Sequence, residues 1–263
     1  MHLRTPTVAV VIPTLNEECS IGGLLENLKR LGPDEVIVAD GESTDRTLAI
    51  AARHVRTLAA PRGRALQMNA GARASSGDIL LFLHADVRLA PGAIEAVRRA
   101  MREPLVVGGN FDIRYEEGDW TARAFTQINR CRRRLGVFYG DSGIFCQRAV
   151  FAALGGFRSW PILEDYDFAR RLRQCGKLAL LDEPIWVSDR RWRSAGLVPT
   201  MWSWFWIQGL YLAGVSPFRL ASLYPAVRPS QTTVCAAGFA PASNDPADEP
   251  FGALATARGQ KER

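Results

Sequence analysis

The feature that most constrains the fold is an alternation of short apolar runs with helical patterns through the first hundred residues. The runs are rich in β-branched side chains, as is typical of buried parallel strands. They cover residues 8–12, 35–39, 55–58 and 79–83. Segments with helical spacing or helix-end signals follow them, over residues 21–28, 44–53, 64–74 and 91–101. This pattern predicts an α/β fold with a mostly parallel central sheet flanked by helices.

The same alternation predicts where a ligand binds. Right-handed crossovers bring the carboxyl ends of parallel strands to one edge of the sheet, and ligands of such sheets bind there. The loops at that edge cover residues 13–20, 40–44 and 84–88. We therefore expect the functional side chains in these loops.

The remainder of the chain is less regular. Residues 106–113 and 142–146 are predicted strands, and residues 120–135 and 163–174 are predicted helices. After Arg228 the composition shifts to Pro, Ala, Asp and Gly, which indicates disorder. The predicted units are an α/β domain over residues 1–194, an apolar helical region over 195–228 and a disordered tail over 229–263.

The chain is basic, with a net charge of +6, and nearly all of its basic residues are arginines. A basic balance is compatible with a nucleic-acid partner, but arginines scattered over a solvated surface explain it as well. Only residues 130–134 form a dense arginine cluster, which suits a pyrophosphate or an anionic membrane surface equally. We therefore predict no nucleic-acid partner.

The cysteines and the amino terminus bear on the compartment. The 5 cysteines have no CxxC spacing, so a disulfide framework is not predicted. The apolar run at residues 8–12 is too short for the core of a signal peptide. Both features favour a reducing, cytoplasmic location.

Acidic side chains stand in the first two edge loops. Glu17 and Glu18 follow the first predicted strand, where they suit ligand contact, although acids also favour helix starts. Asp40 ends the second strand and precedes Gly41. Its carboxylate can accept hydrogen bonds from a base or a ribose, and an ordinary Asp-Gly turn is the alternative.

The third edge loop contains His84 and Asp86 after the most apolar strand. A hard divalent cation prefers oxygen ligands and often takes one or two carboxylates together with substrate phosphates. Asp86 fits that role, and His84 could be a ligand or could orient one. The alternative is that Asp86 caps the next segment.

Together these loops resemble glycosyltransferase family 2. The motifs that carry the resemblance are VVIPTLNE at 10–17, EVIVADGESTDRT at 35–47, GRA at 63–65, QMNAGA at 67–72, GDILLFLHAD at 77–86, GDSGIF at 140–145 and ED at 164–165. Their order and spacing agree with the family from about residue 7 to residue 192. The resemblance implies a GT-A, Rossmann-like catalytic domain. It also implies that a sugar passes from a nucleotide-diphospho-sugar, with UDP-sugars favoured, to a small-molecule or lipid-type acceptor.

The resemblance also implies roles for single residues. The nucleotide-sugar site would contain Pro13, Thr14, Glu17, Asp40, Ser43, Asp45, Arg64, Asn69 and Ala85. The acceptor side would contain Asp141, Arg191 and Trp192. Mg²⁺ or Mn²⁺ would be held by Asp86 and His84.

The general base implied by the resemblance is Asp165, in the pair Glu164–Asp165. It would accept the proton of the attacking hydroxyl, while Arg64 and the metal ion would stabilise the charge of the leaving diphosphate. Attack from the opposite face would invert the anomeric centre. The alternative for Asp165 is an ion pair with Arg170 or Arg171 on the same helix.

Two positions depart from the family pattern. The first acid of the family's DxD metal motif is His84 here, so the number of protein ligands to the metal is open. The glutamine of the QxxRW motif found in processive members is Ser188, which argues against polymer synthesis. The His-Ala-Asp form resembles a small bacterial subgroup associated with radical-SAM and selenium-related or arsenosugar pathways.

Three other classes of protein are less consistent with the sequence. A nucleotidyltransferase on a related fold would need a Gly-rich basic loop after the first strand, and a dinucleotide-dependent oxidoreductase would need GxGxxG there. Residues 13–18 contain neither glycine nor lysine. A non-catalytic nucleotide-sugar binding protein would not need Asp40, Asp86 and Asp165 together.

Residues 197–217 contain no charged side chain. The length is close to the roughly 20 residues that span a bilayer, but Pro199, Gln208 and Gly209 interrupt it. Tryptophan prefers membrane interfaces, so we expect an in-plane helix at the cytoplasmic face of the cell membrane. The alternative is a helix packed on the catalytic domain or in a homodimer contact.

Overall fold

The computed structural model describes residues 4–115, 120–187 and 197–223. Its centre is an eight-stranded sheet with the order β3-β2-β1-β4-β7-β6-β8-β5. The strands are Val8–Thr14 (β1), Glu35–Asp40 (β2), Arg56–Ala59 (β3), Ile79–Phe82 (β4), Val87–Leu89 (β5), Val106–Tyr115 (β6), Ile144–Gln147 (β7) and Lys177–Val187 (β8). Strands β1 to β4 are parallel, and only β5 and β7 run against their neighbours. The predicted mostly parallel sheet is confirmed.

Helices cover both faces of this sheet. They are Ile21–Leu31 (α1), Thr47–Ala51 (α2), Arg64–Ala74 (α3), Ala93–Ala100 (α4), Trp120–Arg134 (α5), Arg148–Ala153 (α6), Glu164–Cys175 (α7), Leu197–Leu212 (α8) and Pro217–Leu223 (α9). A 3-10 turn, Gly140–Ser142, precedes β7. Side chains alternate along β1, so that Val8, Val10 and Ile12 pack with α1 and α4, whereas Ala9 and Val11 pack with α3 and α7. The apolar runs therefore form strands buried on both faces.

The structure differs from the sequence prediction where polar residues interrupt the pattern. The helix predicted over residues 44–53 is only Thr47–Ala51, because the residues before it are hydrogen-bonded to the loop after β1. Strands β5 and β8 and helix α6 were not predicted. Strand β8 has Asp182, Glu183 and Pro184 in its middle, so its alternation of apolar and polar residues is broken.

The arginine cluster on α5 is used mainly inside the protein. Arg130 donates to both carboxylate oxygens of buried Asp112 on β6, at 2.6 to 3.1 Å. Arg132 donates to the Tyr139 hydroxyl at 2.7 Å, and Arg133 donates to the carbonyl oxygen of Leu181 at 2.8 Å. These three arginines therefore fix α5 to its neighbours within the protein, whereas Arg134 is exposed.

The cysteines follow the expectation in part. Cys131, Cys146 and Cys175 are free thiols. Cys19 is disulfide-bonded, so the expectation of reduced thiols is wrong at that residue.

Two predicted units extend beyond the described residues. The tail at 229–263, the end of the apolar region after residue 223 and the boundary near residue 194 all lie outside them, so this division stays a prediction. Within the ranges 4–115, 120–187 and 197–223, no helix is long and apolar enough to cross a membrane.

Candidate functional site

The first part of the site lies where β1 and β2 end at the carboxyl edge of the sheet. Asp40 is buried, and its Oδ1 accepts hydrogen bonds from the hydroxyls of Thr14 at 3.0 Å and Ser43 at 2.6 Å. Its Oδ2 accepts from the backbone N–H of Ser43 at 2.8 Å. Pro13, also predicted here, is buried in β1. The carboxylate is thereby held in one orientation at the rim where the nucleoside pocket was predicted.

The loops after β1 and β2 are tied to each other. The backbone N–H of Asn16 donates to the Ser43 hydroxyl at 2.9 Å, and that of Glu17 donates to the Thr47 hydroxyl at 2.7 Å. Asp45 accepts from the backbone N–H groups of Glu18 and Thr47 at 3.2 and 2.9 Å. Burial acts to raise the pKa of Asp45, but these bonds and that from the Thr47 hydroxyl lower it overall. Asp45 therefore braces the loops as an ionised side chain.

Gln67 on α3 connects the same two strands and was given no role from the sequence. Its buried Nε2 donates to the carbonyl oxygens of Thr14 at 2.5 Å and Ala39 at 3.1 Å. A Cβ added to Gly41 would lie 2.8 Å from this Nε2, so only glycine fits there while Gln67 stays in place. Gln67 belongs to the QMNAGA motif, but sequence spacing alone does not indicate which carbonyl groups a glutamine reaches.

The second part of the site is a cluster of carboxylates around Arg64, the first residue of α3. Arg64 pairs with Glu164 of α7 at 3.3 Å. The pKa of Arg64 is raised, first by the charge of Glu164 and further by those of Asp165, Asp86 and Asp141. Acids from three separate stretches of chain therefore act on Arg64, whose side chain is 43% exposed.

Glu164 is an acid of this cluster whose pKa is strongly shifted. Burial, and to a smaller extent the charge of Asp165, outweigh the lowering effect of Arg64 and raise the pKa of Glu164 to about 7. Such a carboxyl group is partly protonated at neutral pH. Perturbed carboxyl groups of this kind are common at functional sites.

Asp165 is oriented by the backbone on both of its oxygens. Oδ2 accepts from the backbone N–H of Gly140 at 2.7 Å, and Oδ1 accepts from that of Tyr166 at 2.7 Å. A Cβ on Gly140 would lie 2.9 Å from His84 Nε2 and 3.1 Å from Asp165 Oδ2, so β4, the 3-10 turn and α7 meet here. The ion pair considered for Asp165 is instead made by Asp167, which bonds Arg171 at 2.7 Å.

Asn69, which the resemblance places in the nucleotide-sugar site, is hydrogen-bonded to the backbone of Phe157. Its Nδ2 donates to the carbonyl oxygen of Phe157 at 2.8 Å, and its Oδ1 accepts from the backbone N–H of Phe157 at 2.9 Å. Both ends of the amide are thus engaged by the segment that precedes α7. Asn69 therefore holds that segment against α3, and its contact with a nucleotide sugar stays a prediction.

The donor set at the end of β4 fits a metal ion that is bound jointly with its substrate. Asp86 and His84 are half-buried, Ala85 between them is buried, and Asp86 is near enough to Arg64 to raise its pKa. In the described part of the chain, no three His, Cys, Asp or Glu side chains are arranged to hold a metal by themselves. Mg²⁺ commonly takes one or two carboxylates and completes its shell with water and substrate phosphates, so these residues fit that mode of binding.

Of the predicted acceptor-side residues, only Asp141 is described. It lies in the 3-10 turn, between Gly140 and Ser142, and its charge also raises the pKa of Arg64. Arg191 and Trp192 lie outside the described residues. The structure thus places Asp86, Asp141 and the Glu164–Asp165 pair where their charges act on Arg64, and Asp40 lies at the ends of β1 and β2.

The family model for Glycosyl transferase family 2 matches residues 9–155, which is more than half of the chain. The chain belongs to this family. The matched region contains Asp40, Arg64, Asp86 and Asp141, whereas the Glu164–Asp165 pair follows it. The prediction of a glycosyltransferase is confirmed at the level of the family.

Curated relatives of this family 2 protein include a PGL/p-HBAD biosynthesis glycosyltransferase of Mycobacterium bovis, 29% identical over 181 residues that make up 63% of this chain and 69% of the relative. Glucosyl-3-phosphoglycerate synthase of Mycolicibacterium smegmatis is 37% identical over 94 residues, 31% of either chain. An uncharacterized protein of Mycobacterium tuberculosis is 31% identical over 49% of this chain. The match spans only 44% of that relative's length.

Solved structures with the same fold include Staphylococcus aureus TarS in complex with UDP-GlcNAc, with a TM-score of 0.58 and 17% identity. That match covers 70% of this chain and 58% of TarS. Glucosyl-3-phosphoglycerate synthase of Mycobacterium tuberculosis, in complex with Mn²⁺, UDP and glucosyl-3-phosphoglycerate, has a TM-score of 0.52 and 21% identity, covering 68% of this chain and 70% of that one. The predicted GT-A fold is confirmed.

Proposed function

We propose that this family 2 protein is an inverting, metal-dependent and non-processive glycosyltransferase. It would move a sugar from a nucleotide-diphospho-sugar to a small-molecule or lipid-type acceptor. The observation that carries the proposal is the convergence of Asp86, Asp141, Glu164 and Asp165 around Arg64 at the carboxyl edge of the sheet. A structural role alone would not require so many acids around one partly exposed arginine.

The proposed donor site lies where β1 and β2 end. Thr14 and Ser43 hold the Asp40 carboxylate in one orientation, and it would accept a hydrogen bond from a base N–H. Arg64 at the amino end of α3 is the cation available for the diphosphate, and helix amino ends favour anions. The two solved structures with this fold contain UDP-GlcNAc and UDP, which supports a nucleotide-sugar donor. UDP-sugars remain our first choice.

The transfer step breaks the bond between the anomeric carbon and the diphosphate oxygen. The leaving diphosphate gains negative charge, which Arg64 would stabilise once the donor competes with Glu164 for it. A divalent ion, held by Asp86 with His84 nearby, would supply Lewis-acid stabilisation of the same charge. Mn²⁺ in the glucosyl-3-phosphoglycerate synthase structure, which has the same fold, supports this choice of ion.

The acceptor hydroxyl attacks the anomeric carbon from the opposite face and loses its proton to Asp165. Each Asp165 oxygen already accepts one backbone hydrogen bond, from Gly140 or Tyr166, and keeps lone-pair capacity for the hydroxyl. Glu164 is less available as the base, because its carboxylate is paired with Arg64 at 3.3 Å and its side chain is only 3% exposed.

Ser188 in place of the QxxRW glutamine supports a single transfer per acceptor rather than polymer synthesis. We further propose a cytoplasmic location with peripheral contact at the inner face of the cell membrane. The subgroup associated with radical-SAM and selenium-related or arsenosugar pathways stays a prediction from motif form alone. The second candidate, a nucleotide-sugar binding protein without catalysis, is favoured by the exposure of Arg64, since binding alone needs that group.

The deciding experiment incubates the full chain with UDP-glucose, UDP-GlcNAc and GDP-mannose in Mn²⁺ and follows release of the nucleoside diphosphate. An active transferase hydrolyses its donor slowly in the absence of acceptor. Hydrolysis of one donor, dependent on Mn²⁺ and lost in Asp165→Asn, supports the proposal. Tight donor binding without hydrolysis or transfer to any acceptor tested would leave the binding protein as the better description.

A further inference from the structure

The outward side of α8 is unusually apolar for an exposed helix face. Trp202, Phe205 and Trp206 are 70%, 77% and 58% exposed, and Leu212 further along is 63% exposed. Their spacing of three and four residues puts the three aromatic side chains on one side of the helix. Helix α9 adds exposed Phe218 and Leu223. We call these residues, from Trp202 to Leu223, the aromatic face.

The opposite side of α8 already has a partner, which is the catalytic domain. Ile207 is buried, and the Gln208 Oε1 accepts a hydrogen bond from the Tyr139 hydroxyl at 2.7 Å. Tyr211 makes edge contacts with the rings of Tyr166 and Trp160, with centroids 5.8 and 6.1 Å apart. These contacts hold the helix in one orientation through the side opposite the aromatic face.

The composition of this region favours one kind of occupant. Asp189 is the only acid between residues 184 and 244, whereas Arg190, Arg191, Arg193, Arg219 and Arg228 lie in the same stretch. Tryptophan concentrates where hydrocarbon meets headgroups, and arginine near a cytoplasmic leaflet is attracted to anionic lipid. Neither α8 nor α9 is a candidate to span a membrane, so the helices would lie in the plane of the interface.

We propose that the aromatic face is a docking surface for an anionic phospholipid bilayer. The aromatic side chains enter the boundary between headgroups and acyl chains, while Arg219, exposed on α9, lies among the headgroups. Because α8 contacts Tyr139 and Tyr166 through its other side, docking leaves the surroundings of Asp165 unchanged. Membrane binding and sugar transfer are thus separable properties of one chain.

The test is flotation of the full chain with vesicles of phosphatidylcholine alone and of phosphatidylcholine mixed with phosphatidylglycerol. We expect flotation with the mixed vesicles and much less with the neutral ones. The triple variant Trp202→Ser, Phe205→Ser, Trp206→Ser should bind the mixed vesicles on the order of a hundredfold more weakly. The matched control is Leu105→Ser with Trp120→Ser, which removes side chains that are 72% and 75% exposed elsewhere, and it should float like the unchanged chain.

Each alternative outcome is distinct. A chain that stays soluble with both vesicle types, or a triple variant that floats normally, overturns the docking surface. The docking surface is also overturned if the Leu105→Ser, Trp120→Ser control loses vesicle binding as much as the triple variant does. If the triple variant instead converts a dimer to a monomer in light scattering, without any vesicle binding, the face is a contact between copies of the chain. The triple variant should match the unchanged chain in thermal melting and in Mn²⁺-dependent donor hydrolysis. If the unchanged chain floats with the mixed vesicles but hydrolyses no donor, the result contradicts the proposed transferase and leaves the docking surface intact.

Discussion

Removing the amide of Gln67 tests whether α3 sets the geometry of the donor pocket. In Gln67→Leu the carbonyl oxygens of Thr14 and Ala39 each lose a buried hydrogen bond. A buried polar group left without its partner costs about 1–3 kcal/mol. Thr14 O still accepts from the Gly41 N–H at 2.9 Å, so we expect a total loss of about 2–3 kcal/mol in the free energy of unfolding. The ends of β1 and β2 should then separate, which moves Asp40 relative to Arg64 at the amino end of α3.

The chain offers a matched control in Asn27 on α1. Its buried amide also makes two hydrogen bonds to backbone, both with Leu89, at 3.1 and 2.9 Å, on a different strand from those that form the donor pocket. Asn27→Leu should therefore lower the free energy of unfolding by a similar amount without changing donor binding. Chemical unfolding measures the free energy of unfolding. Calorimetry with UDP and Mn²⁺, together with KM and kcat for the donor, measures donor binding.

For Gln67→Leu we expect the Kd of UDP and the KM of the donor to rise roughly tenfold, equivalent to about 1.4 kcal/mol, with little change in kcat. The reasoning fails if donor affinity is unchanged in Gln67→Leu. It fails equally if Asn27→Leu weakens donor binding as much, because the effect would then reflect lost stability and not the position of Asp40.

Three further predictions concern the carboxylates. Asp165→Asn should retain UDP affinity within about twofold but lose on the order of a hundredfold or more in kcat, and near-normal turnover would remove it as the base. Asp86→Ala should abolish the Mn²⁺ dependence of UDP binding, and calorimetry with and without Mn²⁺ would contradict this if both affinities stayed at their original values. Because the pKa of folded Glu164, about 7, exceeds its unfolded value, the folded state binds the extra proton. The free energy of unfolding should therefore fall as pH rises from about 4.5 to 7, by on the order of 3 kcal/mol at most. Glu164→Gln should flatten that pH dependence in denaturant titrations. If the free energy of unfolding still falls with pH as steeply in this variant, Glu164 is not its cause.

The sequence predicts the parts of this protein that depend on local pattern. The observed bounds of β1 and of the helix Arg64–Ala74 lie within two residues of those predicted from the sequence pattern. The position of Asp40 at a strand end follows from the same patterns, because parallel strands end at one edge. Strand β8 escapes prediction because its pairing with β6 tolerates Pro184 through an irregular register.

Contacts between distant segments could not be read from the pattern. A buried amide such as Asn69 or Gln67 can reach a base, a phosphate or a carbonyl oxygen, and only the packing of α3 on the sheet decides which. Likewise the arginines at 130–134 resemble an anion site until Asp112, Tyr139 and the Leu181 carbonyl oxygen are found beside them. Residue type indicates what a side chain can bind, and tertiary structure determines what lies within reach.

Helix α3 joins the separate parts of the site, since Arg64, Gln67 and Asn69 reach the carboxylates, the donor edge and the segment before α7. Its closeness to β1 depends on Gly71, where an added Cβ would lie 2.4 Å from Val11 Cγ1. Ala in place of Gly within a helix is otherwise favourable by about 0.5–1 kcal/mol. Gly71→Ala should nevertheless destabilise the protein, by about 1–3 kcal/mol, and raise the donor KM because α3 must move outward.

Val11→Ala removes the clashing methyl groups and, alone, costs stability by leaving a cavity. In the double variant the new methyl group of residue 71 occupies part of that space, so the two costs should not add. We expect a favourable coupling of about 1 kcal/mol or more in the free energy of unfolding and a donor KM closer to that of the unchanged chain. Additive destabilisation, with KM as high as in Gly71→Ala, would mean that the distance between α3 and β1 does not control the donor pocket.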